Sequence, residues 1–134
     1  MSREPRDIAL AYIDAVGGNR LHAAEELLHP DVEFTGPTRT LHGRAAYLEA
    51  LRRLTPIIAR SEVRRTFVEG NEVCVIYDLV TDTPVGAVPA VEWVQIEDGR
   101  IRRITLIFHS QPWPEVMQEA SRRARAAEPA SLPA

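Results

Sequence analysis

A chain of 134 residues with 45% hydrophobic side chains and a net charge of −3 can bury one sizeable core and is too apolar to be disordered. It carries no basic stripe interleaved with aromatics, so no nucleic-acid partner is expected, and no apolar run nears the roughly 20 residues of a membrane helix. Met1 to Asp7 lacks an apolar signal core, and the lone Cys74 permits no internal disulfide, so a reducing, cytoplasmic setting is expected.

In chain order, Pro5 suits a first helical turn. Ile8, Ala11, Tyr12, Ala15 and Val16 then recur at helical spacing until Gly17 and Gly18 stop the pattern. Asn19 is placed to cap a second helix with the stripe Leu21, Ala24, Leu27 and Leu28, which His29-Pro30-Asp31 ends. Val32 to Thr35 reads as a short strand broken at Gly36-Pro37, and Thr38 to His42 as another extended piece. Gly43 opens a third helix, with Ala45, Leu48, Leu51 and Leu54 on one face, stopped before Pro56.

Four strands follow, over Arg60 to Val68, Val73 to Val80, Val88 to Ile96 and Ile101 to Phe108. They turn at Glu69-Gly70-Asn71, Thr83-Pro84-Val85-Gly86 and Glu97-Asp98-Gly99-Arg100, which makes an antiparallel meander. Several of these strands are apolar on both faces and need cover on both sides. The helices provide one cover, and a second copy of the chain is the expected other. Glu115 to Ala127 favours a helix, and 128–134, rich in Pro and Ala, reads as a flexible tail. Helices bunched early and strands bunched late indicate an α+β fold, with 1–127 as one domain.

Leu-Leu-His-Pro-Asp-Val-Glu-Phe (Leu27 to Phe34) after the second helix, and Val-Glu-Trp-Val-Gln-Ile-Glu-Asp-Gly-Arg-Ile (Val91 to Ile101), resemble the SnoaL-like branch of the nuclear transport factor 2-like superfamily. The resemblance covers roughly Asp7 to Phe108. It implies a cone-shaped, curved antiparallel or mixed sheet wrapped around three N-terminal helices, an enclosed pocket, and a homodimer through the outer sheet face. Relatives include ketosteroid isomerase, limonene epoxide hydrolase and polyketide cyclases. The ketosteroid isomerase pattern places Tyr12 at its tyrosine and Glu92 at its protonated acid, while its base position falls on Gly36, which cannot take a proton. The polar triad of limonene epoxide hydrolase falls on Tyr77, Leu79 and Leu106 and is absent. For the cyclases' Asp/His arrangement, His109 is the nearest candidate.

Three residues therefore stand as candidate catalytic groups: Glu92, Tyr12 and His109. Alternation puts Glu92, Val94 and Ile96 on one strand face, and an acid on an otherwise apolar face fits the pocket side. Burial there raises its pKa, so that it can donate when neutral and act as base when ionised. Tyr12 offers a hydroxyl from the first helix, and an imidazole such as His109 titrates near neutral pH. Tyr77, Trp93, Phe34, Leu79 and Leu106 are the expected substrate contacts. Asp78 falls on the outer face as a structural acid. No histidines or acids show metal-ligand spacing and the seven glycines form no phosphate loop, so no cofactor and no metal are expected.

Three function classes stay open. One is an isomerase, cyclase or dehydratase acting by acid–base chemistry on a small hydrophobic, oxygen-bearing molecule. Another is a non-catalytic ligand-binding or dimerisation module with the same pocket, since such pockets are mostly apolar with few polar groups. The third is a protein-binding role for the outer sheet face.

Overall fold

The computed structural model describes residues 4–127, so the expected tail, 128–134, lies outside the described residues. Helix α1 (Pro5–Gly17) starts with its proline where the missing N–H has no helical partner to lose, and it buries Ile8, Tyr12 and Ala15. At Gly17 the helix meets the sheet so closely that a Cβ would sit between 2.6 and 2.9 Å from atoms of Ser61. Asn19 is not the cap of the next helix. It takes the left-handed conformation (φ 57°) that the turn requires, and Arg20 precedes α2 (Leu21–Leu27).

Strand β1 (Leu28–Thr35) begins earlier than the Val32 expected from sequence. Leu28 pairs with Ile101, the ladder then breaks, and it resumes where Glu33 meets Arg103. Pro30, which has no N–H to donate, falls inside that irregular stretch. Strand β2 (Thr40–His42) folds back on β1, and Gly43 (φ 91°) leads into α3 (Arg44–Leu54) and a 3-10 turn over Thr55–Ile57.

The remaining strands are β3 (Ile58–Glu69), β4 (Glu72–Thr81), β5 (Ala87–Glu97) and β6 (Arg100–Phe108), followed by α4 (Trp113–Ala127). All six strands form one sheet in the order β2-β1-β6-β5-β4-β3. Every pairing is antiparallel except β1 with β6, so the sheet is mixed. Register shifts in β3 at Ile58/Arg60 and Val63/Arg65, and between Gln95 and Ile96 in β5, add local twist and bend the sheet. Its concave face holds the core: Val73 and Val75 of β4, Val94 of β5 and Ile104 of β6 are fully buried with Ile8 and Tyr12 of α1. Each such aliphatic side chain contributes roughly 1.5–3 kcal/mol by leaving water.

The helix expected over Glu115 to Ala127 is present as α4, starts two residues earlier at Trp113, and packs beside α3 and the 3-10 turn. Arg123 ties it to the β4–β5 turn, with Nη1 2.6 Å from Asp82, while its Nε donates within α4 to Glu119 at 2.8 Å. The convex face is less covered. Asp78 is buried there against Arg64, whose Nε donates at 2.8 Å. Cys74 of β4 is half-buried on that face. Its register neighbours on that face, Phe67 of β3 and Trp93 of β5, are exposed. No helix among the described residues is long and apolar enough to cross a membrane.

Candidate functional site

Between the concave face of the sheet and helices α1, α3 and α4 lies a cavity of about 790 Å³. That is within the usual range for small-molecule sites. Its walls are largely hydrocarbon, with Leu79, Val88, Leu106 and Phe108 from the strands and Trp113 and Met117 from α4. Glu92 and all three tyrosines of the chain, Tyr12, Tyr47 and Tyr77, line it together.

Strand register explains how Tyr77 and Glu92 meet. Tyr77 stands opposite Ala90, and Glu92 opposite Val75, so the two are diagonal neighbours on the concave face. Long side chains reach across such diagonals. The Tyr77 hydroxyl donates to Glu92 Oε1 at 3.0 Å. The other carboxyl oxygen, Oε2, is buried and has no hydrogen-bond partner among the described residues. Tyr12 and Tyr47 hydrogen-bond to each other through their hydroxyls. Only one of those two protons is used between them, which leaves the second free for a ligand. Tyr47 is held in place by Phe34, stacked on it with ring centroids 4.8 Å apart. Gly36 helps keep that ring in position, because a Cβ there would stand 3.1 Å from Phe34.

The electrostatics follow from burial. Glu92 is only 5% exposed. Loss of solvation pushes its pKa from 4.5 up to about 7, although the Tyr77 hydrogen bond pulls the other way. Burial, followed by the nearby Glu92 charge, raises the Tyr77 pKa well above the ordinary range. Burial is also the leading cause of the same rise at Tyr12 and Tyr47. All three phenols therefore stay protonated at neutral pH and can donate. Glu92, with a pKa near 7, exists there in both forms.

Six of the eight residues singled out from sequence line this cavity: Glu92, Tyr12, Tyr77, Phe34, Leu79 and Leu106. Trp93 and His109 do not, and both are corrected by strand alternation. Glu92 and Val94 point inward, so Trp93 points outward, is 40% exposed, and donates from Nε1 to Glu72 at 2.7 Å. Leu106 and Phe108 face the cavity, which turns Ile107 outward, and His109 follows beyond the strand end as an exposed residue. Sequence reasoning missed Tyr47. Its signal was faint: an aromatic four residues before Leu51 on the buried side of α3. It also left open that α4 walls the cavity. Elsewhere, His29, Glu97 and Asp98 bring potential metal-donor atoms within 4.8 Å of one another, but none of them lines the cavity.

Residues 9–104 match the family model of the SnoaL-like domain. The chain belongs to the SnoaL-like family of the NTF2-like superfamily. Solved structures agree with the fold of this SnoaL-like protein. It is similar to a Kribbella flavida protein at 27% identity and a TM-score of 0.77, over 90% of this chain and 95% of that one. It is similar to a Sinorhizobium meliloti protein assigned as a polyketide cyclase, at 25% identity and a TM-score of 0.68, over 75% and 93%. A second Kribbella flavida protein, assigned as a ketosteroid isomerase, shares the fold at 22% identity and a TM-score of 0.72, over 81% and 79%. No curated protein matches the SnoaL-like chain significantly.

Proposed function

We propose that this SnoaL-like protein is an enzyme that moves protons on a small, hydrophobic, oxygen-bearing molecule, in an isomerisation, cyclisation or dehydration. One observation carries this reading: the buried carboxyl of Glu92 ionises near neutral pH and leaves Oε2 unpaired beside three phenols in an apolar cavity. A general base works best with a pKa near the working pH. Ionised Glu92 takes a proton from a carbon next to a substrate carbonyl. The C–H electron pair moves into the carbon–carbon bond, and the carbonyl oxygen becomes an enolate. The free hydroxyl proton of the Tyr12–Tyr47 pair stabilises that oxygen. Neutral Glu92 then returns the proton elsewhere on the substrate. The 25% identity to a protein assigned as a polyketide cyclase supports chemistry of this class.

A second reading, a binding module without catalysis, draws on Gly36. The residue lines the cavity where the resemblance to ketosteroid isomerase implies the base, and it has no side chain to accept a proton. Glu92→Gln separates the two readings on a panel of polycyclic ketones, epoxides and hydroxynaphthalenes. Turnover in wild type that is lost in the variant supports the enzyme. Binding without turnover in wild type supports the module, and turnover unchanged in the variant rejects Glu92 as the base.

The outer sheet face supports a homodimer. Phe67 and Ile107 are 59% and 58% exposed, and with Trp93 they form an apolar face beyond the isolated residues that a monomer surface tolerates. The lone, half-buried Cys74 suits a reducing compartment, and we place the protein in the cytoplasm.

A further inference from the structure

The chain has 16 basic and 19 acidic side chains, yet the cavity rim is positive. Arg39 from the β1–β2 turn, Arg53 from α3 and Arg125 from α4 all line it, and among the described residues the only acids lining it are Glu49 and the buried Glu92. Glu49 is already engaged, since Arg52 donates to it at 2.8 Å while Arg53 Nε stands 3.7 Å away. Arg39 and Arg125 have no carboxylate partner among the described residues. Elsewhere arginines hold acids, as Arg20 does with Asp14, Arg64 with Asp78 and Arg103 with Glu33. Three exposed arginines from three separate elements thus line one cavity, and the single exposed acid beside them, Glu49, is shared between Arg52 and Arg53. Guanidinium is the side chain best matched to a planar carboxylate or a phosphate.

Resting on the reading of the cavity as a small-molecule site, we propose that the ligand is an amphipathic anion. Its apolar, oxygen-bearing body reaches Glu92, and a carboxylate or other anionic group at its far end is held by Arg39, Arg53 and Arg125. The charges also set the direction of entry. An anion placed deep would meet Glu92 with no counter-cation on the floor, whereas an anion at the rim meets three. The rim therefore selects which end of the ligand is presented to Glu92.

The test uses two fluorescent probes on the full chain, 2-naphthol and 6-hydroxy-2-naphthoate, titrated at pH 6 and about 10 mM salt, where screening is weak. The naphthoate is expected to bind about 5- to 10-fold more tightly than the naphthol, the sum of a few solvent-exposed ion pairs. The Arg39→Gln, Arg53→Gln, Arg125→Gln triple variant and 0.5 M NaCl should each abolish that advantage. Arg100→Gln, an exposed change outside the cavity, should keep it. Equal affinity for both probes in wild type, or an advantage that survives in a folded triple variant, overturns the anionic ligand while leaving the cavity reading intact. Failure of both probes to bind wild type overturns the two readings together.

Discussion

Replacing Glu92 with Gln should stabilise the folded chain at high pH, because the native state carries a charge that it solvates poorly. The rise in pKa from 4.5 to about 7, at ~1.4 kcal/mol per pH unit, amounts to about 3 kcal/mol. The sign is set by linkage. Below pH 4.5 the carboxyl is protonated in both folded and unfolded chains, and its burial carries no charge penalty. Between pH 4.5 and 7 the folded chain holds a proton that the unfolded chain has released, so stability falls as pH rises. Above pH 7 the full penalty applies. Gln keeps an acceptor for the Tyr77 hydroxyl and exchanges the unpaired Oε2 for an unpaired amide nitrogen, so the neutral states are closely matched. Urea unfolding of both proteins from pH 5 to 8 measures the difference, in which all other titrations cancel. The variant should lead by about 1 kcal/mol at pH 5 and by about 3 kcal/mol at pH 8. A difference that does not change with pH, or a wild-type lead at pH 8, would refute the reasoning.

Tyr77→Phe removes the hydrogen bond that favours the ionised carboxyl, so the Glu92 titration midpoint, followed by carboxyl ¹³C NMR, should move above 7. Tyr47→Phe leaves the buried Tyr12 hydroxyl without its partner and should cost about 1–3 kcal/mol in urea unfolding, and kcat on an accepted substrate should fall by about 10²-fold. Gly17→Val should destabilise by about 1–3 kcal/mol, because its new Cβ collides with Ser61. On the proposed dimer, wild type should sediment as a dimer and Phe67→Asp combined with Ile107→Asp as a monomer, without moving the Glu92 midpoint. An unchanged sedimentation coefficient would remove the outer face as the interface.

The period-two pattern made most of the sheet legible, and with it the inward direction of Glu92. The same rule sends Trp93 outward, whereas His109, suggested by the resemblance to the cyclases, lies exposed beyond the end of β6. Pro30 reads as a helix stop, but in the folded chain it sits in a break of the β1–β6 ladder, a parallel pairing of distant segments that no local pattern encodes. Tyr47 lies at the side of the Leu48, Leu51, Leu54 stripe. Its importance arises from Phe34 and Tyr12, which approach it from other elements. Likewise α4 is readable as a helix, but its place over the cavity depends on contacts such as Trp113 against Phe108, at a centroid distance of 4.6 Å.

The most direct check on the role of Glu92 is hydrogen–deuterium exchange next to a ketone. With 2-tetralone in D2O at pD 7.5, wild type should speed deuterium incorporation at the carbon beside the carbonyl well above the buffer rate, and Glu92→Gln should return it to that rate. Exchange at the buffer rate in wild type, or equally fast exchange in the variant, would contradict the account.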